Sequence, residues 1–347
     1  MKKLSFANKT NCLKVLLNMI RVKNFLKHIL YKFPHSTINN FYSIYNFFRY
    51  YNLREKRISC GYLNSNKTFY LIRPRVDKVE GLMSLLLNVS KQINFAINHN
   101  YLPVVDFENY KTQYYDKNIV LTNVWEYYFL QPSNYTLDSV YNSKNVILSG
   151  LSALSKCEKF IDMSFDSNDI SKAHLFLNKY IHINNTVQDK LQKYSSLFNP
   201  KYTLGLYLRG TDYIALKPAG HYIQPSIDEA INMAEYTIKK YGLKQVLLVT
   251  EDGNIYKRVE NYFKDMLVHL PFDRLITNYS SKSYLSKDDS INQVSESPYE
   301  RGMIYLIKVL LLSSCQYFIG GKTCGSWASC TFSQGFKYFY LFDLGKY

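Results

Sequence analysis

Polar residues follow an apolar run at 203–208, and their types suit the binding of an anionic ligand. Arg209 comes directly after that run, and Asp212 lies three residues further on. A guanidinium presents a planar fork of N–H donors that matches two oxygens of one phosphate group. We therefore predict that Arg209 binds a phosphate, and that Asp212 orients Arg209 or touches the ligand. A structural Arg–Asp pair at a turn is the alternative interpretation.

Two further polar groups also follow apolar runs. Thr250 and Asp252 come after residues 245–249, where they would meet a ligand or cap the next helix. A glycine-rich turn follows residues 317–320 and precedes another predicted helix. The free amides and positive dipole end of such a helix favour phosphate binding. The residues predicted to bind a ligand in this turn are Gly321, Thr323, Cys324, Gly325 and Ser326.

A histidine lies in the loop after Arg209. His221 closes the segment Lys-Pro-Ala-Gly-His. Imidazole exchanges a proton near neutral pH, so His221 is a candidate general base. A structural role in the loop is the alternative.

Three classes of site are disfavoured by spacing. A Walker A loop is excluded because Gln316 stands where that motif requires glycine. The acids Asp162 and Asp166 are too widely spaced for a metal-binding D-x-D motif. No pair among the six cysteines has CxxC spacing, which favours reduced structural thiols. We therefore expect neither a metal nor a cofactor.

The elements that must position these groups alternate along the chain. Regular alternation of strands and helices favours parallel sheets covered by helices on both faces. A loop is predicted at 277–297. The predicted strands are 69–73, 101–106, 145–148, 203–209, 245–250, 267–270, 317–320 and 337–342. The predicted helices are 81–97, a long connector at 169–197, 225–241, 254–264, 297–314 and 325–333.

This pattern predicts an α/β protein with two Rossmann-like domains facing across a cleft. We place the first domain at 58–198, including the helical connector, and the second at 199–347. The 347 residues are enough for two domains of ordinary size. Ligands of open α/β sheets bind at the carboxyl ends of the strands, which is where the polar groups lie.

The remaining segment, residues 1–57, carries most of the net charge of +16. It holds twelve Lys or Arg and one acid, a charge of +11. Residues 12–32 have apolar side chains at helical spacing, but no stretch reaches the ~20 apolar residues of a membrane span. The segment therefore predicts a basic amphipathic helix, which either lies on an anionic membrane surface or packs on the protein's own core. Nucleic acid is a weaker choice, since no nucleic-acid-binding motif accompanies the charge.

Taken in order, the polar groups resemble the signature of the fucosyltransferase-type glycosyltransferases, which include nodulation, core-fucosylating and protein O-fucosyltransferases. Arg209-Gly210-Thr211-Asp212 stands where that group has Arg-Arg-Thr-Asp, and Thr250-Glu251-Asp252 matches its Thr-Asp-Asp. Thr323-Cys324-Gly325-Ser326 occupies its serine-rich turn. The resemblance covers about residues 67–347, and residues 123–132 and 341–345 resemble bacterial polysaccharide-biosynthesis relatives.

Three positions depart from the group's pattern. Gly210 replaces the second arginine, and Tyr207 stands at the position of a histidine. Lys308 stands where core-fucosylating enzymes have an aspartate that helps to hold guanosine. The glutamate proposed as base in that group has no clear counterpart after Asp212.

The resemblance implies a GT-B fold and an inverting, metal-independent transfer of a sugar, with GDP-fucose favoured as donor. Arg209 and the helix amides after Gly321 would stabilise the departing diphosphate, and His221 or Asp212 would deprotonate the acceptor. Gly210, Thr250 and the glycine-rich turn would complete the donor site. A glycan or lipid-linked glycan would be the acceptor, in the cytoplasm or on the inner face of its membrane. A non-catalytic, membrane-associated protein that binds glycan or a lipid carrier, and a nucleic-acid-binding protein, remain the alternatives.

Overall fold

Two four-stranded β-sheets form the frame of the computed structural model, which describes residues 54–75, 80–150, 158–272, 275–277 and 296–347. The predicted amphipathic helix at 12–32 and most of the predicted loop at 277–297 lie outside the described residues. None of the helices in the described part of the chain has the length and apolarity to cross a bilayer.

The first sheet contains β1 (Lys56–Ile58), β2 (Phe69–Ile72), β3 (Leu102–Val105) and β4 (Val146–Leu148). Its strand order is β1-β4-β2-β3. The pairs β4–β2 and β2–β3 are parallel, and β1 joins the edge antiparallel to β4. The first strand therefore lies across the boundary at 57/58 that the sequence suggests. The helices of this half are α1 (Leu82–Asn98), α2 (Leu137–Tyr141), α3 (Ser167–Tyr180) and α4 (Asn185–Ser195).

The second sheet contains β5 (Thr203–Tyr207), β6 (Gln245–Val249), β7 (Tyr317–Gly321) and β8 (Tyr338–Phe342). All its pairs are parallel, in the order β6-β5-β7-β8. The inner strand β5 is buried at every residue because both faces of the sheet are covered, which explains its continuous apolar sequence. The helices are α5 (Asp212–Leu216), α6 (Ile227–Tyr241), α7 (Gly253–Phe263), α8 (Pro298–Ser314) and α9 (Cys324–Phe332).

These two units confirm the predicted α/β class, and most predicted elements are present within a few residues. Short 3-10 turns lie at Val124–Tyr127, Lys159–Ile161 and Lys264–Met266. Helices α6 and α8 begin at capping boxes, with Ser226 paired to Glu229 and Ser297 to Glu300. These two starts match the capping signature that serine followed by glutamate three residues later provides.

Two predicted elements are wrong. The connector at 169–197 is two helices, because Ile181 is extended and the Asn184 side chain accepts from the Val187 N–H to start α4. The predicted strand at 267–270 forms only an isolated bridge from Leu267 to β6. Val268 donates one hydrogen bond to Val246, and Pro271, which has no N–H, follows shortly after.

Helix α8 joins the two units. It packs against β5 and β6 of the second sheet and against α1 and α4 of the first unit. Gly302 lies where α8 meets Tyr128, whose hydroxyl donates to the Tyr299 carbonyl at 3.0 Å. A Cβ at Gly302 would lie 2.1 Å from the Tyr128 Oη, so only glycine allows this close approach.

We expect Gly302→Ala to lower the free energy of unfolding by about 1–3 kcal/mol, because the added methyl overlaps the Tyr128 hydroxyl. Urea unfolding of the full chain measures the change. Gly81→Ala is the matched control, since a Cβ at Gly81 meets nothing within 4 Å. Tyr128→Phe should reduce the loss when combined with Gly302→Ala. An equal loss in both backgrounds would show that the hydroxyl is not the obstacle.

Candidate functional site

Arg209 emerges at the carboxyl edge of the second sheet. Because β5 and β6 are parallel, the residues that follow them meet at this edge. The Arg209 Nη1 lies 2.7 Å from the Glu251 Oε2, and the two side chains are 22% and 32% exposed. The guanidinium carbon also lies 5.4 Å from the centre of the Tyr213 ring. Arg209 is thus held between a carboxylate and an aromatic face, in a position that a ligand can reach.

Helix α8 covers this edge and encloses a recess with it. The mouth of the recess is partly exposed and the floor is buried. Arginines and a lysine supply three cations, against one carboxylate, which favours an anionic ligand. The mouth consists of Arg209, Glu251, Arg301, Ile304 and Tyr305, and the floor consists of Tyr207, Leu208, Val249, Thr250 and Lys308.

Asp252 holds the backbone that follows Arg209. Its Oδ1 accepts from the amides of Asn254 and Ile255 and so caps α7. Its Oδ2 accepts from the Thr211 N–H at 2.9 Å. Thr211 is fully buried at a φ of +56°, a conformation that costs a β-branched residue energy. Capping, one of the two interpretations of Asp252, is therefore what the structure shows, and donor contact by Asp252 stays a prediction.

Gly210 is explained by the same carboxylate. A Cβ at position 210 would lie 2.4 Å from the Asp252 Oδ2 and 2.7 Å from the Ile255 Cδ1. Any side chain would therefore displace Asp252. This clash is a physical reason why position 210 holds glycine and not the second arginine of the signature that the sequence resembles. Thr250 also belongs to this corner, since its hydroxyl accepts from the Asp252 N–H at 3.1 Å.

The glycine-rich turn packs against a tyrosine pair. The hydroxyls of Tyr207 and Tyr305 are 3.1 Å apart, and burial raises the pKa of both, so they stay protonated. A Cβ at Gly325 would lie 2.4 Å from the Tyr207 hydroxyl. The turn therefore packs against the same tyrosine pair that lines the recess.

Within the turn, most side chains serve the helix start. Thr323 caps α9 by accepting from the Ser326 N–H, and Ser326 is fully buried with its hydroxyl donating to the Gly321 carbonyl. The Cys324 Sγ lies 3.6 Å from the Met163 Sδ, and burial raises the pKa of this thiol to about 11. The structure thus brings Arg209 and Thr250 together in the recess and leaves the five turn residues outside it.

Tyr213 lies between His221 and Arg209, because its hydroxyl contacts the His221 ring and its own ring faces the Arg209 guanidinium. The His221 Nδ1 is 2.5 Å from the Tyr213 hydroxyl. The C-terminal residues fix the loop, since Tyr347 donates its N–H to the His221 carbonyl and Gly220 donates to the Tyr347 carbonyl. Burial, and then the charge of Lys346, lower the pKa of His221. The Asp212 backbone begins α5, and its side chain lies outside the part that the structure describes.

Sequence reasoning missed Arg301 as a residue of this site and noted Lys308 only as a departure from the resembling group's pattern. They are seven positions apart on α8, so they share one helix face with Ile304 and Tyr305. A signal was present, because Lys308 is the lone charge in the apolar run 302–312. Lysine is almost never fully buried unless it is paired, so a lysine in such an apolar run indicates a charged partner or a functional role.

No protein-family model matches the chain, and no curated protein matches it. The solved structures to which the chain is similar include several fucosyltransferases. The α-1,6-fucosyltransferase NodZ soaked with GDP-fucose is 11% identical, with a TM-score of 0.42 over 77% of this chain and 93% of its own. NodZ from Bradyrhizobium is 12% identical, with a TM-score of 0.45 over 80% and 95%. Arabidopsis thaliana FUT1 with GDP is 9% identical, with a TM-score of 0.45 over 82% and 72%.

We expect an NMR titration to give His221 a pKa below the usual value near 6.5, since burial and Lys346 both disfavour the charged ring. The unfolded chain then binds this proton more readily, so His221 lowers the free energy of unfolding as the pH falls below about 6.5. Lys346→Met should move the pKa back toward 6.5, and His221→Gln identifies the resonance. A pKa above 6.5 would contradict the environment described.

Proposed function

We propose that this chain is a glycosyltransferase that moves a sugar from a nucleoside diphosphate to an acceptor hydroxyl. The observation that carries the proposal is Arg209 at the carboxyl edge of β5, at the mouth of a recess with Arg301 and Lys308. Departure of a nucleoside diphosphate leaves negative charge, and stabilising that charge is the main electrostatic task of the transfer. Three cations at one sheet edge suit this task.

The Arg209–Glu251 pair places the arginine before a ligand arrives. Glu251 accepts from Nη1 of the guanidinium, which carries five N–H donors in a planar fork. A phosphate can therefore share Arg209 with Glu251 or displace that carboxylate. The start of α9 packs against the Tyr207–Tyr305 pair that lines the recess, and its backbone amides would meet the same diphosphate.

The finer form of the proposal is a GDP-sugar donor, with GDP-fucose favoured. The sequence motifs support it through their resemblance to fucosyltransferases, and the solved NodZ and POFUT1 structures include GDP-fucose. The unit at 199–347 would hold this donor, and the unit at 58–198 would face the acceptor. A bacterial surface glycan, free or lipid-linked, is the acceptor class that we propose.

Inverting transfer requires a base on the acceptor side, and we propose His221 for this role. Tyr213 accepts from the Nδ1–H in the tautomer that leaves the Nε2 lone pair available. The lowered pKa of His221 keeps the ring neutral at pH 7, as a base requires. Asp212 is the second choice. The transfer that we propose uses Arg209 and backbone amides, with no step through a metal ion.

We expect Arg209→Ala to cost about 2–4 kcal/mol in transition-state stabilisation, because it removes the donor facing the leaving diphosphate. Arg209→Lys keeps the charge but loses the planar fork, so it should weaken GDP binding by an intermediate amount. Calorimetry with GDP and transfer from GDP-fucose measure the two effects.

Arg258→Lys is the matched control, because Arg258 pairs with Asp228 on the surface, away from the recess. It should leave GDP binding and transfer unchanged. Parent-like GDP affinity and turnover in a folded Arg209→Ala protein would remove the diphosphate site from the proposal.

We further propose that the basic N-terminal segment, residues 1–57, holds the protein on an anionic membrane surface, on the cytoplasmic side. The local charge of the N-terminal segment and its apolar residues at helical spacing support this. A variant that lacks residues 1–53 keeps strand β1.

The full chain should co-sediment with vesicles that contain phosphatidylserine, and the deletion variant should stay in the supernatant. Both should stay there with neutral phosphatidylcholine vesicles. GDP affinity, measured by calorimetry, should be the same in both proteins. Equal sedimentation of the two proteins with anionic vesicles would contradict the membrane role.

A further inference from the structure

Helix α5 is a single turn of helix with an unusual backbone at both of its ends. Thr211 precedes it at a φ of +56°, and Lys217 ends it at a φ of +45°. Neither residue is glycine, so both conformations cost free energy and persist only where the surrounding structure holds them. Asp252 holds the Thr211 amide, and the Thr211 carbonyl accepts from the Ala215 N–H at 3.2 Å. The start of α5 is therefore fixed relative to the strand end that carries Arg209.

Tyr213, in this turn, contacts two groups of the proposed site. The Arg209 guanidinium carbon lies 5.4 Å from the centre of the Tyr213 ring. The Tyr213 hydroxyl lies 2.5 Å from the His221 Nδ1, and the two rings meet at 72° with their centres 5.1 Å apart. Tyr213 is partly exposed, so burial alone does not account for its place between an arginine and a histidine.

We propose that Tyr213 is a positioning residue that serves the donor side and the acceptor side of the site at once. Its ring supports the Arg209 guanidinium by a cation–π contact, while Glu251 holds the Nη1 of the same group. Its hydroxyl accepts a hydrogen bond from the His221 Nδ1–H, which leaves the Nε2 lone pair for the acceptor's proton. The inference rests on the proposed function, because that function gives Arg209 and His221 their roles.

The proton transfer fixes the direction of this hydrogen bond. As the acceptor oxygen bonds to the anomeric carbon, the bond from that carbon to the diphosphate breaks, and its electron pair leaves on the phosphate oxygen. The acceptor proton passes to the His221 Nε2, which requires that the ring's own proton is on Nδ1, facing Tyr213. The Tyr213 oxygen, which keeps its own proton, stabilises the imidazolium that forms, whereas Lys346 disfavours that charge.

Two substitutions separate the two roles. Tyr213→Phe keeps the ring beside Arg209 and removes the hydroxyl from His221. Tyr213→Leu removes both contacts. Tyr202→Phe is the matched control, because Tyr202 is 41% exposed and directly precedes β5, at the opposite end of that strand from Arg209.

The first test measures GDP affinity by calorimetry, and turnover of GDP-fucose with water as the acceptor. In Tyr213→Phe, GDP affinity should stay within about twofold of the parent and turnover should fall about tenfold, as loss of a hydrogen bond to a charged group implies. In Tyr213→Leu, turnover should fall at least as far, and GDP affinity should fall about threefold, as loss of a partly exposed cation–π contact implies. Tyr202→Phe should match the parent in both measurements.

The second test needs no turnover. Nitrogen NMR of the labelled full chain at about pH 7.5 distinguishes the two neutral tautomers of His221, and His221→Gln identifies the resonance. The parent and Tyr202→Phe should carry the proton on Nδ1. Tyr213→Phe should shift the ring toward the tautomer with the proton on Nε2, which predominates for histidine in water.

The outcomes distinguish the inference from the proposed function. A parent ring protonated on Nε2 would mean that the Tyr213 hydroxyl donates to Nδ1, and would overturn the inference. Parent-like turnover in a folded Tyr213→Phe protein, or parent-like GDP affinity in Tyr213→Leu, would have the same consequence. Failure of the parent to bind GDP would overturn the proposed function, and the tautomer of His221 would still decide the hydrogen bond. If Tyr213→Leu does not fold, Tyr213→Phe and the tautomer decide between these outcomes.

Discussion

The site depends on one carboxylate, that of Asp252. One oxygen caps α7 and the other accepts from the Thr211 amide, so Asp252 joins the chain after β5 to the chain after β6. The Thr211 backbone is held at a positive φ that an isolated chain would avoid, and the hydrogen bond offsets part of that cost. Arg209 is two residues before this anchor and Tyr213 two residues after it. Their ring-to-guanidinium contact is set by the same fixed turn.

Helix α8 supplies the second constraint, because it serves both units at once. Its Arg301 donates to the Gln113 carbonyl at 3.2 Å, and the Gln113 side chain donates to the Glu80 carbonyl at 2.7 Å. The mouth of the recess is thereby tied to the turn that precedes α1. The close approach at Gly302 sets the distance between α8 and the first unit. A change in how the units pack would thus move Arg301 relative to Arg209.

The fold could be predicted from sequence where the signals are local. Apolar runs mark β5 and β6, and the serine–glutamate spacing marks the starts of α6 and α8. Arg209 could be found because a strand end in a parallel sheet is a known place for ligands. Arg301 could not be assigned, because its position in the recess depends on how α8 packs over the sheet. Residues 267–270 form an isolated bridge and not the predicted strand, because strand pairing depends on neighbouring elements and not on hydrophobicity alone.

The charges at the recess also constrain what can bind there. A phosphate that reaches Arg209 meets Glu251 on the same guanidinium, so the carboxylate repels it while holding the arginine in place. Arg301 and Lys308 offset this repulsion. The residues that line the recess therefore carry an excess of two positive charges. A ligand with two linked phosphates fits that excess better than one with a single carboxylate. The diphosphate that we propose to bind here must therefore compensate for the sharing or loss of the Arg209–Glu251 ion pair.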